Sequence, residues 1–141
     1  MIAAGPPCEE YSTAKTVQPR NFEKADEIIE KTLEVIRWFD PPVWWLENPR
    51  RGYLKSRECI RHVPFIDDDY CQFSDWGYQK PTRIWGCESI AELDNRLCDG
   101  FSCPNLERTP DGHFRHKESL GGWGMKHGTS LKSRTPAALV E

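Results

Sequence analysis

The sequence predicts an α/β fold with parallel strands at its centre, on three observations. Two short apolar runs, Ile2–Ala4 and Val43–Leu46, each stop at a turn: Gly5-Pro6-Pro7-Cys8 after the first, Glu47-Asn48-Pro49 after the second. Both runs lack a polar face, as strands covered on both sides do. The residues between them carry the periodicity of one amphipathic helix, and a strand–helix–strand unit of that kind makes a right-handed crossover between parallel neighbours.

Taken in order, Pro6-Pro7 ends the first strand, and residues 9–20 form a polar, irregular loop long enough to move. Asn21 is a suitable N-cap, and Phe22, Ala25, Ile28, Ile29, Leu33, Ile36 and Phe39 give the helix its apolar face. Asp40-Pro41-Pro42 ends it, since proline cannot donate the next hydrogen bond. Residues 50–62 read as a short basic helix. Phe65-Ile66, Asp69–Phe73 and Arg83–Trp85 read as strands, the last stopped by Gly86. Beyond residue 86 periodicity fades until Pro136–Val140, so the expected divisions are 1–86, an irregular Cys/His-rich subdomain 87–127, and a segment 128–141 returning to the main domain.

Bulk properties narrow the field. With 141 residues, 38% of them hydrophobic and 29% charged, the chain holds one real core. No apolar run approaches the roughly 20 residues of a membrane span, and the opening is too short and uncharged for a signal peptide. An intracellular location without membrane partners is expected. A net charge of −3 does not mark a nucleic-acid binder, but basic side chains cluster locally. Arg50, Arg51, Lys55, Arg57 and Arg61 form one group; Arg115, Lys117, Lys126, Lys132 and Arg134 form another. Each is equally readable as ordinary solvated surface.

Open α/β sheets place their ligands at the carboxyl ends of parallel strands, where Cys8 and Glu47 both fall. A cysteine attacks as thiolate, and an adjacent carboxylic acid can protonate a ring nitrogen and make that ring electrophilic. Asn48 is placed to hold the turn that aims Glu47, and Arg83 to orient a carboxylate or a substrate oxygen.

These residues carry a resemblance. Gly5-Pro6-Pro7-Cys8 with Tyr11-Ser12 resembles the G-P-P-C-Q-G-F-S nucleophile motif of DNA cytosine-5 methyltransferases. Trp45-Leu46-Glu47-Asn48-Pro49 resembles their Glu-Asn-Val motif, and Gln79-Lys80-Pro81-Thr82-Arg83 their Q-x-R-x-R motif. The stretch Glu10–Thr16 and the run Lys80–Trp85 look most like the phage-type branch, and Arg134–Leu139 faintly resembles a late R-x-P-x-x-L segment.

The resemblance implies a partial Rossmann-like methyltransferase sheet, S-adenosylmethionine as methyl donor and DNA as substrate. It implies Cys8, Glu47 and Arg83 as catalytic residues, Pro6, Pro7 and Ile28 toward the cofactor, and Ser12, Asn48 and Gln79 toward the substrate. Cys8 would add to cytosine C6 while Glu47 holds N3 and the exocyclic amine. The base would be flipped from the duplex, with loop 9–20 closing over it. Two positions depart from the pattern: Pro81 replaces the first arginine, and Glu9 stands beside the nucleophile. The family's glycine-rich F-x-G-x-G loop belongs upstream of Met1. The chain is therefore expected to be the carboxyl-terminal portion of a larger or split enzyme, with an amino-terminal half chain as partner.

A zinc site is the second expectation. Cys87, Cys98, Cys103 and His116 are the expected ligands, with His113 an alternative to His116, in a stretch poor in aliphatics. Buried thiols beside solvent-facing histidines remain the other reading. The competing functional reading is a catalytically incomplete, zinc-stabilised nucleic-acid-binding module.

Overall fold

Ala25, Ile29, Leu33 and Ile36 are the four buried side chains of helix α1, which runs Phe22–Phe39. Asn21 caps it as expected, its side chain accepting from the Lys24 amide at 3.0 Å. At the other end Asp40 turns into the left-handed region (φ 45°) and its N–H returns to Ile36 O. Ile28 and Phe39, also on the expected apolar face, are exposed.

The structure is a computed structural model that describes residues 1–118 and 135–136. Expectations on residues 119–134 and 137–141 lie outside the described residues. Among these are most of the segment 128–141, the basic residues Lys126, Lys132 and Arg134, and the tail motif except Thr135 and Pro136.

Strands β1 (Ile2–Ala4) and β2 (Trp44–Pro49) flank α1 in sequence and pair in parallel, with Ile2 opposite Trp44 and Ala4 opposite Leu46. With β3 (Phe65–Asp69) and β4 (Pro81–Gly86) they form a four-stranded sheet in the order β1-β2-β4-β3. β4 runs antiparallel to β2, placing Arg83 opposite Asn48 and Ile84 opposite Glu47. Gly86 closes β4 where a Cβ would sit 2.7 Å from Trp44 O and 2.8 Å from Ile90 Cγ1. Only glycine fits there without movement. A one-turn helix, α2 (Glu88–Ala91), and a two-stranded ladder of β5 (Leu106–Arg108) and β6 (Phe114–His116) complete the elements.

Two expected elements take other forms. Residues 50–62 make turns around a short 3₁₀ stretch, Leu54–Ser56, in place of a basic helix. The buried residues there, Leu54 and Ile60, are not spaced to share a helical face. Gly52 also packs tightly, since a Cβ would lie 3.1 Å from Pro49 O and 3.2 Å from Tyr11 O. The expected strand Asp69–Phe73 instead ends β3 at Asp69 and turns through a 3₁₀ stretch, Tyr70–Gln72.

The chain resolves into two compact units. The first is Met1–Asp67 with Thr82–Asn95; the second is Asp68–Pro81 with the described residues from Arg96 on. Residues 68–81, read above with the main domain, thus cluster with the cysteine-rich stretch. The first unit's core joins α1 to Leu46, Leu54, Ile60, Trp85 and the fully enclosed Tyr11.

Candidate active site

Parallel register sends the two motif loops off one sheet edge. Ala4 is paired with Leu46, so the chain leaves β1 into Gly5-Pro6-Pro7-Cys8 beside Glu47. A Cβ on Gly5 would lie 3.8 Å from Glu47 Oε1 and 3.9 Å from its Cγ. The carboxylate therefore borders the loop that carries the cysteine. Asn48, only 3% exposed, donates from Nδ2 to Pro6 O at 3.2 Å. Cys8 and Glu47 are each half-buried.

The segment after Cys8 is more firmly held than an open loop. The Tyr11 amide donates to Cys8 O at 3.1 Å, and the Tyr53 amide to Tyr11 O at 2.9 Å. The Tyr11 hydroxyl donates to Asp26 Oδ1 on α1 at 2.8 Å. Arg57 grips the same carboxylate through Nη2 at 2.6 Å and Nε at 3.0 Å, with its guanidinium over the Phe22 ring. Burial pulls the Asp26 carboxyl upward, but the Arg57 and Tyr11 hydrogen bonds outweigh it and hold the group below its ordinary value. Burial, and then the Asp26 hydrogen bond, push the Tyr11 hydroxyl far up, so it stays a donor. Further along, Arg20 Nη2 donates to the carbonyls of Ser12 and Lys15, and Ser12 Oγ accepts from the Ala14 amide. Val17, 93% exposed, marks the outermost part.

Arg83 has a defined partner. Its Nε and Nη2 meet the Asp67 carboxylate at 2.7 and 2.8 Å, and its guanidinium lies 3.7 Å from the Phe65 ring centroid. Paired residues of a ladder project to one face, so Arg83 shares the Asn48 face while Glu47 shares that of Ile84. Pro6 is half-buried and Pro7 exposed. Ile28 lines a shallow, largely apolar groove with Ile2, Ala4, Val35 and Ile36.

The second unit gathers the thiols. Cys71 Sγ, Cys98 Sγ, Cys103 Sγ and a His116 ring nitrogen all lie within 4.8 Å of one another, a group that could hold a metal ion. Burial, and then the neighbouring thiols, push the Cys71 thiol well up. Burial also pushes Cys98 up and His116 down. Cys87 is not a member, its Sγ lying 3.1 Å from Ser89 Oγ, and His113 is exposed beside Asp111. Cys71 takes the fourth place. The sequence offered little sign of it, because it lies far upstream of the cysteine-rich stretch. Gln79, also in this unit, donates to Asp69 Oδ2, which accepts the Cys98 N–H as well.

Comparison with known proteins bears on the family. Over an alignment of 157 positions the chain is 34% identical to a Frog virus 3 (isolate Goorha) protein described as "Probable DNA (cytosine-5)-methyltransferase". The alignment covers 99% of this chain and 72% of the relative. The chain belongs to the DNA (cytosine-5)-methyltransferase family. No family model matches it, and no solved structure matches it. In this methyltransferase-family chain Cys8 and Glu47 lie at a sheet that mixes a parallel with an antiparallel strand pair. Sequence reading did not assign the Tyr11–Asp26–Arg57 network. Its sequence signs were an acidic residue on the helix and a basic one in the stretch after β2.

Proposed function

We propose that the chain carries the catalytic machinery for methyl transfer to C5 of cytosine in DNA, with Cys8 as nucleophile and Glu47 as its acidic partner. The observation that carries this reading is the parallel register reinforced by the Asn48–Pro6 hydrogen bond, which brings both motif loops to one edge. Family membership supports the reaction class.

In the proposed reaction the Cys8 thiolate gives an electron pair to C6 of a flipped cytosine, forming an S–C6 bond. The C5–C6 π electrons move into the ring, where a proton shared with Glu47 at N3 stabilises them and makes C5 nucleophilic. When bound, S-adenosylmethionine supplies an electrophilic methyl group. After methylation H5 leaves to water, its electron pair re-forms C5–C6, and the sulfur departs. The thiol cannot reach C6 inside a stacked duplex, so extrusion of the base belongs to the proposal. Ser12 and Gln79 are the proposed contacts to DNA. Asn48 and Arg83 are assigned positioning roles, one through Pro6 and the other through Asp67.

For S-adenosylmethionine the residues present fit in part. The groove at Ile2, Ala4, Ile28 and Val35 offers apolar contact, with Lys31 and Glu27 its charged lining residues; the Thr32 hydroxyl already donates to Ile28 O at 2.7 Å. No F-x-G-x-G loop occurs in this sequence. We propose that a further segment or half chain supplies that loop by adding to β1. Among the described residues β1 has β2 as its strand neighbour, and the groove lies alongside it.

Trapping tests the reading. The full chain is incubated with S-adenosylmethionine and a duplex containing 5-fluorocytosine, with and without an added polypeptide that carries an F-x-G-x-G loop. A denaturation-resistant adduct that Cys8→Ser abolishes supports the mechanism. An adduct that survives Cys8→Ser overturns it. Salt-sensitive DNA binding without any adduct, even with the added polypeptide, favours the binding-module reading.

A further inference from the structure

Among its described residues, the second unit buries few large apolar side chains. Apart from the enclosed Pro136, its buried hydrophobic residues among those described are Tyr70, Cys71, Tyr78 and Cys103, whereas α1 alone buries four side chains in the first unit. Two of those four are thiols. With so few aliphatics buried among the described residues, a cross-link would add stability to that part of the chain.

We propose that Cys71, Cys98, Cys103 and His116 form a closed, tetrahedral structural zinc site that holds the second unit together. The inference goes beyond methyl transfer and concerns different residues.

The geometry supports a single ion. A tetrahedron with Zn–S near ~2.3 Å and Zn–N near ~2.0 Å has S···N edges of about 3.5 Å and S···S edges of about 3.8 Å. His116 Nε2 lies 3.6 Å from Cys98 Sγ and 3.8 Å from Cys103 Sγ. The longest separation within the group is 4.8 Å, so closure asks for movements of at most about 1 Å. Three soft thiolates and one imidazole suit zinc over calcium or magnesium, which take oxygen. Four protein ligands leave no open position for water or substrate, which marks a structural ion and not a catalytic one.

The four ligands come from three segments, and the surrounding hydrogen bonds hold those segments independently of the thiols. Asn105, 3% exposed, donates to Cys71 O at 2.8 Å and Ser74 O at 2.6 Å while accepting from the Gly77 amide at 3.0 Å. Its own carbonyl accepts the Lys117 N–H at 3.0 Å, next to His116. Asp69 receives the Cys98 N–H at 2.8 Å and Asp68 the Arg96 N–H at 2.7 Å, fixing the Cys98 segment against that of Cys71. Cys103 immediately precedes the β5–β6 ladder that presents His116. One ion would therefore tie β3's continuation, the 96–103 loop and the ladder into one body. A disulfide could join only two of these thiols.

Elemental analysis of the full chain, purified without chelator, tests the site before any variant is needed. One zinc per chain is expected. Cobalt exchange should give the strong visible bands of a tetrahedral thiolate–imidazole site. Cys71→Ser and His116→Ala should each lower zinc affinity at least ~10-fold, and Cys87→Ser should leave it unchanged. Stripping the zinc should expose 68–81 and 96–118 to protease. A folded, protease-resistant chain with substoichiometric zinc, or a disulfide among these three cysteines in the purified protein, would overturn the proposal. So would zinc retained by Cys71→Ser and lost from Cys87→Ser. None of these readouts involves catalysis, so they succeed or fail separately from the methyl-transfer reading.

Discussion

Asn48 Nδ2 donates to Pro6 O at 3.2 Å, joining the strand that bears Glu47 to the loop that bears Cys8. The amide is 3% exposed, and among the described residues its Oδ1 has no hydrogen-bond partner. The NH₂ group therefore provides the side chain's hydrogen bonding, and it provides it to the loop. Asn48→Ala should cost about 1 kcal/mol in urea unfolding, the penalty for a part-buried carbonyl left without its donor. Asn48→Asp should cost more, because it sets a carboxylate oxygen against that carbonyl. An unchanged midpoint for both variants would mean the two loops are held by other contacts.

Cys8→Ser should reduce methyl transfer at least ~10³-fold, since a serine hydroxyl without a strong base is a poor nucleophile. The side chain is half-buried in a loop, so stability should change by less than about 0.5 kcal/mol. DNA binding should persist. Radiolabelled methyl incorporation, equilibrium unfolding and a gel-shift titration check the three parts separately. Turnover retained by the serine variant would remove Cys8 from the chemistry.

The strand–helix–strand unit was legible because local signals agree there: apolar runs, an N-cap asparagine, a proline stop. Two side chains on the helix's apolar stripe, Ile28 and Phe39, are nevertheless exposed. Periodicity records which face is apolar, not what covers it. The turn structure at 50–62 could not be read locally, because Arg57 is placed by an ion pair to Asp26 and Leu54 by burial against α1. Cys71 was missed for a related reason. Ligands of a folded site need not be close in sequence, and β3 with its following turn carries this one away from the cysteine-rich stretch that drew attention. Arg83 was correctly singled out as a strand residue, but its tie to Asp67 is a matter of register and reach that spacing does not encode.

The Asp26 carboxyl is a source of acid sensitivity. Its folded-state value is held below the ordinary aspartate value near ~3.9, so folding depends on its being charged. The stabilisation is fully present above that ordinary value and is lost as pH falls through the lower folded value. Asp26→Asn should therefore destabilise the protein near neutrality and by less at the acid end of a series from about pH 6 to about pH 2.5. Urea midpoints of wild type and variant should converge as the pH drops. Parallel curves would show that Asp26 does not contribute to the acid transition.

The Arg83–Asp67 pair offers a test of what Arg83 does. Both side chains are mostly enclosed, 16% and 21% exposed, and the two-pronged geometry is one that lysine cannot reproduce. Arg83→Lys should cost about 1–2 kcal/mol, and Arg83→Met about 2 kcal/mol, less than for a fully buried pair because some solvent reaches both groups. In a double-mutant cycle with Asp67→Asn, the coupling energy should be about 1–2 kcal/mol. If Arg83 acts by bracing β4 against β3, Asp67→Asn should lower kcat as much as Arg83→Met, and the double variant should be no worse than either. Were Arg83 instead to touch the base directly, Asp67→Asn would retain most of the turnover that Arg83→Met loses. The register favours the first outcome, since Arg83 projects from the Asn48 face of the ladder and Glu47 from the other.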